Sequence, residues 1–175
     1  MTKYEFVHCN VHSEFSLLDA SSRVKDIVSA AAKQDMRAIA LSDHNVMYGA
    51  IDFYKKAKDS DIKPLIGHEA HVTNTKMTEK SSKETKNLVL IAQNYTGYKN
   101  LTKLVSAAYI DGFYYVPRID KEFLAEHSDG LIVLSACLNG EIASSLLRGN
   151  YDKAKETAMF FKDVFKDNYY LEVED

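Results

Sequence analysis

Six short apolar runs separated by stretches of helical periodicity constrain this chain more than any other feature. FVHCNVH, AIAL, PLIG, LVLIA, LIVLS and YYLEV are each strand-length, and between most of them apolar residues recur at three- and four-residue intervals. In SSRVKDIVSAAAKQDM, Val24, Ile27, Val28 and Ala31 share one helical face, with Ser21 or Ser22 as the expected N-cap. GAIDFYKKAKDSD, TGYKNLTKLVSAAYI, GEIASSLLRG and YDKAKETAMFFKDVF predict further helices. Strands alternating with helices predict an α/β fold with a largely parallel sheet, open or closed. The lysine-rich stretch NTKMTEKSSKETK, residues 74 to 86, has little apolar content and predicts a solvated loop or hairpin excursion.

A length of 175 residues with 46% hydrophobic content predicts one domain over residues 1–175 with a sizeable core. No stretch reaches the roughly 18 consecutive apolar residues of a membrane helix, and MTKYEFVHCN lacks the apolar run of a secretory signal. The expected location is therefore the cytoplasm, without membrane contact. Two cysteines, Cys9 and Cys137, are too few for a disulfide framework and read as reduced thiols. The net charge of -3 gives no bulk attraction to nucleic acid, so phosphate binding would need a local patch or bound cations.

In α/β folds the functional groups gather at strand tips and the loops that follow. Here the first strand offers His8, Asn10 and His12, with Asp19 in the loop; the second ends in Asp43 and His44. The third carries His68, Glu69 and His71, the fourth opens with Asn87, and the fifth leads to Cys137. Nearly every tip thus delivers a ligand-type residue to one end of the sheet. Strand alternation puts His8, Asn10 and His12 on one face. His8 nonetheless lies about 13 Å from His12 at a rise of ~3.3 Å per residue, too far to share a metal. His71 shares the face of Glu69 and His68 points away; both read as structural or surface groups. Arg118 in YYVPRID suits a phosphate clamp or a plain turn equally. Tyr109, Phe113, Tyr114 and Tyr115 are expected to pack in the core, because no basic residues interleave with them.

FVHCNVHSEFSLLD, IALSDHNVMYGAIDFYKKAKDSDIKPLIGHEAHV, NYTGYKNLTKLVSAAYIDGFYYVPRID and GLIVLSACLNGEI, taken in order, resemble the polymerase and histidinol phosphatase (PHP) domain of bacterial replicative DNA polymerase III alpha subunits. SDHN, IKPLIGHEAHV, TGYKNL and LSACLNGEI make the resemblance specific. It implies a distorted seven-stranded α/β barrel, truncated here to about six strands, at the N-terminal end of a longer polymerase chain. It also implies a cluster of His, Asp, Glu and Cys around divalent cations (Zn, Mn or Mg) that cleave phosphate esters. Carried over by position, the opening His-x-His pair falls on Asn10 and His12, the next aspartate on Asp19, and the Asp-His pair on Asp43 and His44. His44 is then a ligand and Asp43 a catalytic group, with Arg118 a candidate beside it. Glu69 takes the bridging acid position and Cys137 that of a cysteine replacing histidine.

Asn10 and Asn87 stand where metal-binding members carry histidine. A neutral amide is a poorer donor to transition metals than imidazole, so the resemblance implies a partial or empty site, and a final Asp-x-His pair would lie beyond Asp175. Three functions follow from it. The first is a metal-dependent phosphoesterase or 3'-5' exonuclease with an eroded site, attached to a DNA polymerase. The second is a non-catalytic module that docks partners such as a proofreading exonuclease subunit. The third, disfavoured by TGYKNL and LSACLNGEI, is a stand-alone histidinol-phosphatase-like enzyme.

Overall fold

The computed structural model describes residues 6–173 as a mixed α/β fold. Its described elements are six strands and six α-helices. The first helix, α1 (Val24–Lys33), buries Val24, Ile27, Val28 and Ala31, the stripe its periodicity predicts. Its N-cap is Arg23 in extended conformation with no side-chain cap bond, not Ser21 or Ser22. The apolar run AIAL forms β1 (Ala38–Leu41), buried along its whole length, as expected of a strand covered on both faces. Helix α2 (Ala50–Asp59) sets Phe53 and Ala57 against α1 and β1, closing one core cluster.

Strand β2 (Lys63–Thr73) is the spine of the sheet. Its first half pairs parallel with β1, from Ala38↔Lys63 to Leu41↔Ile66, and its end pairs parallel with the two-residue β4 (Ile119–Asp120). Along its other edge it pairs antiparallel with β3 (Lys86–Ala92), from Gly67↔Ile91 to Val72↔Lys86. Strand β3 pairs antiparallel with β5 (Leu131–Leu134), which pairs parallel with β6 (Tyr169–Tyr170). The sheet is therefore mixed rather than largely parallel, because residues 74–85 turn the chain straight back as a hairpin excursion instead of crossing over. Reversal brings the start of β3, Asn87, to the end of the sheet where the tips of β1 and β2 lie.

The first expected strand, residues 6–12, runs beside β1 without a regular ladder. Ala40 donates to the carbonyl of His8 at 2.9 Å and Ser42 to that of Val11 at 2.8 Å. Cys9 and Asn10 thus face Leu41 alone, two residues against one as in a bulge, so the alternation that put His8 with Asn10 and His12 is broken. His8 is exposed and packs edge-on against Phe6. Of the expected closing strand, Tyr169 and Tyr170 pair, while Glu174 and Asp175 lie outside the described residues.

Helices α3 (Tyr95–Ile110) and α6 (Tyr151–Phe165) cover the outer face of the sheet, joining Leu101, Leu104 and Phe161 to Leu88, Leu90 and Val133. Each such fully buried apolar side chain contributes about 1.5–3 kcal/mol relative to exposure. On the inner face Val89 and Ile91 meet Ala40 and Ala136. Two short helices complete the chain, α4 (Lys121–Glu126), capped by Asp120, and α5 (Glu141–Leu147). Buried Glu141 ties them to α6, pairing with Lys121 at 2.7 Å and accepting from the Thr157 hydroxyl at 3.0 Å.

Candidate metal centre

The bulged segment, the tip of β1, the middle of β2 and the start of β3 deliver their polar side chains to one place. His12 Nε2 lies 2.7 Å from Glu69 Oε2, and His44 Nε2 lies 3.2 Å from the same oxygen. The two imidazoles meet edge-on with centroids 4.5 Å apart. Glu69 is 2% exposed, in the interior of β2, and its main chain bridges to His44. Burial alone would raise the Glu69 carboxyl, but hydrogen bonds from His12 and His44 outweigh it and hold its pKa at about 2. The same contact raises His44: hydrogen bonding to Glu69 exceeds the opposing burial, and Asp19 adds to it.

Each of these side chains is oriented by a second group. Asp19 Oδ2 accepts from His44 Nδ1 at 3.0 Å, which leaves Nε2 aimed inward, the carboxylate–histidine arrangement that presents imidazole to a metal. Asn10 Oδ1 sits 3.1 Å from His12 Nε2 and accepts from the Ser42 hydroxyl at 3.0 Å. Asn87 Nδ2 donates to Glu69 Oε1 at 2.8 Å and stands 3.2 Å from His44 Nε2. A side chain expected to be a substituted ligand is therefore in the centre, as a hydrogen-bond donor. Its backbone is fixed by the loop before α5: Asn87 N donates to the Asn139 carbonyl at 3.2 Å. Gly140 allows that approach, since a Cβ there would fall 2.2 Å from the Ser135 carbonyl.

His12, His44 and Glu69 each offer a ligand atom, all within 4.8 Å of one another. Two imidazole nitrogens and one carboxylate oxygen fit one divalent ion of the zinc or manganese kind, with coordination positions left open. Cys137 is outside this group: it is a half-buried free thiol whose carbonyl accepts from Gly140 N.

Two expected catalytic residues are placed elsewhere. Asp43 is 2% exposed, and its oxygens accept from Ser13 N at 2.6 Å, Ser13 Oγ at 2.8 Å and Ser16 Oγ at 2.7 Å. It fastens residues 13–19 to the tip of β1, which sets Asp19 beside His44. Arg118 is fully buried, and its three guanidinium nitrogens donate to carbonyls of Gly112, Ser82, Glu79 and Met77. Instead of forming a phosphate clamp it holds the excursion to the tip of β4.

His71 and Asn45 were not expected at the centre. Asn45 Nδ2 meets His71 Nδ1 at 3.1 Å, and the His71 ring lies 6.1 Å from that of His44. Burial first, then the charge of His44, lowers the His71 pKa. The shared face of Glu69 and His71 was the available signal. His68, on the opposite face, is buried with Nδ1 unpartnered.

A family model described as PHP domain matches residues 8–175. DNA polymerase III subunit alpha of Borreliella burgdorferi is 46% identical over 173 residues, 97% of this chain and 15% of that protein. The corresponding subunit of Treponema pallidum is 42% identical over 180 residues, 100% of this chain and 15% of its own length. That of Helicobacter pylori is 41% identical over 179 residues, 96% and 15% respectively. The chain thus spans about 15% of the length of these relatives. A solved amidohydrolase from Chromobacterium violaceum aligns over 90% of this chain and 49% of its own, with a TM-score of 0.44 and 15% identity.

Proposed function

The chain belongs to the PHP domain family, and from that premise we propose that it is the PHP domain of a bacterial replicative DNA polymerase, carrying a reduced, one-ion phosphoesterase site. The observation that carries the polymerase assignment is 46% identity to a DNA polymerase III alpha subunit over 97% of the chain. The parent activity is then DNA-directed nucleotidyl transfer, and DNA is reached through the parent chain.

His12, His44 and Glu69 would hold the ion. A bound divalent cation supplies an activated water and neutralises charge developing on phosphate oxygens. Glu69, kept ionised by its histidines, brings the negative charge the ion needs. Asp19 keeps His44 Nε2 turned inward. Asn10 and Asn87 offer only neutral amides where imidazole would bind more strongly, which weakens transition-metal binding.

A second reading, a non-catalytic module that docks a proofreading exonuclease, is favoured by one observation. Asn87 and His12 already hydrogen-bond both oxygens of Glu69, so the network is satisfied without a cation. Manganese-dependent release of 3'-terminal nucleotides from single-stranded DNA by the full-length chain separates the two. Weak release that Asp19→Asn lowers by about 10–100-fold supports the one-ion site. Release indifferent to Asp19→Asn contradicts it.

A further inference from the structure

The aromatic residues after α3 are not core. Tyr115 is 71% exposed and Phe113 48%, and Tyr48, from the loop after His44, is 67% exposed. They belong to two ring clusters, with Phe15 and Tyr114 partly exposed among them, that adjoin along the chain at Phe113 and Tyr114 and together make a belt. Phe15, between His12 and Asp19 in sequence, meets Tyr48 edge-on at 6.4 Å, and the Tyr48 side chain meets that of Tyr109. Tyr109 lies 6.4 Å from Phe113, and Tyr114 packs edge-on against Tyr115 at 4.8 Å. The belt thus begins in the two loops that supply His12, Asp19 and His44.

At its far end the belt acquires the positive charge that its own segment lacks. Lys83 Nζ stands 5.9 Å over the Tyr115 ring, and the buried Arg118 guanidinium lies 5.0 Å over that of Tyr114. Lys76 and Lys80 are exposed on the same excursion. Its backbone is fixed, because Arg118 gathers the carbonyls of Met77, Glu79 and Ser82 and Asp120 accepts from Met77 N at 2.8 Å. Tyr115 itself is held at φ 63°, left-handed and uncommon for a bulky side chain.

Exposed rings in series, flanked by lysines on a fixed loop, are the elements by which proteins hold an unpaired strand: bases stack on the rings and phosphates meet the cations. We infer that the belt from Phe15 and Tyr48 to Tyr115, with Lys83 and its excursion, binds single-stranded nucleic acid and leads it to the His12–His44–Glu69 centre. The choice of nucleic acid as occupant rests on the function proposed above; the juxtaposition of rings and lysines does not.

The test irradiates the full-length chain in EDTA with a single strand of about 15 nucleotides containing 5-iododeoxyuridine, and maps the crosslinked peptides. Affinity for the same strand is followed by fluorescence anisotropy. Crosslinks are expected on Tyr48 or within residues 109–118. Phe113→Ala with Tyr115→Ala weakens binding about 10-fold or more, and Lys83→Glu reduces the salt dependence by about one phosphate contact. Tyr95→Ala, at the opposite end of α3, is the control: Tyr95 is exposed with Lys99 Nζ 5.2 Å over its ring, the same chemistry elsewhere. It leaves binding unchanged. Crosslinks that avoid these residues, or an unchanged affinity in the double variant, overturn the inference. So does self-association that the double variant abolishes without altering strand binding, which assigns the belt to a second copy of the chain. Because EDTA removes the cation, failure here leaves the one-ion reading standing, and failure of that reading leaves this result unaffected.

Discussion

Glu69 is an ionised carboxylate with imidazoles at one oxygen and an amide at the other, and that asymmetry decides what the centre can bind. His12, His44 and Glu69 would hold a cation in place of their present contacts with one another, and Asn87 Nδ2 donates to the other carboxylate oxygen, Oε1. On the opposite face of β2, His68 is buried and neutral, and burial lowers its pKa to about 4. The unfolded chain therefore binds a proton that the fold rejects between about pH 6.5 and pH 4, so this residue makes stability fall as pH drops through that window. The loss is on the order of 3 kcal/mol at its lower end. Glu69, whose folded pKa is lowered, adds a further loss only below its unfolded value of 4.5. Chemical denaturation of wild type and His68→Leu across pH 4 to 7 checks this: the difference between their slopes is confined to the His68 window. Parallel profiles contradict it.

At the scale of elements, the reversal of β3 and the excursion that produces it build the site as much as any single ligand. The excursion has few apolar side chains of its own, and one buried guanidinium serves as its core. Replacing Arg118 by Leu leaves several carbonyls without donors, at a cost of about 3 kcal/mol, read as a lowered urea midpoint. Because the excursion joins Thr73 to Lys86 and is held by Arg118, the variant also exposes residues 74–85 to proteolysis before the rest of the fold opens. Uniform protection of that segment contradicts the anchoring role. None of this was legible in YYVPRID, where a buried arginine and a surface one look alike. The partners of Arg118 lie more than thirty residues upstream, apart from Gly112. The bulge before His12 was equally hidden, since an extra residue shows only against the neighbouring strand.

For the whole molecule, what could be read was whatever is local. Short apolar runs and amphipathic repeats placed β1, β2, β3, β5 and the paired part of β6 and five of the helices, and polar residues at strand tips marked His12, Asp19, His44, Glu69 and Asn87 as one neighbourhood. Two-residue β4 and six-residue α4 carry too little periodicity to stand out. The same strand-tip reading included Asp43 and Cys137, and the resemblance gave them catalytic and ligand roles; their final positions depend on serines and glycines whose contacts no spacing encodes. Among the described residues no helix is long and apolar enough to cross a membrane. In the proposed one-ion centre His12, His44 and Glu69 are the ligands and Asn10 and Asn87 stand in place of others. Its most direct measurement is the stoichiometry and affinity of manganese and zinc on the purified chain, with and without Asn10→His and Asn87→His. One weakly held ion in the wild type, tightened about 10-fold or more by the paired substitutions, is the expected result. Two or more tightly bound ions in the wild type, or no gain in the substituted chain, would contradict it.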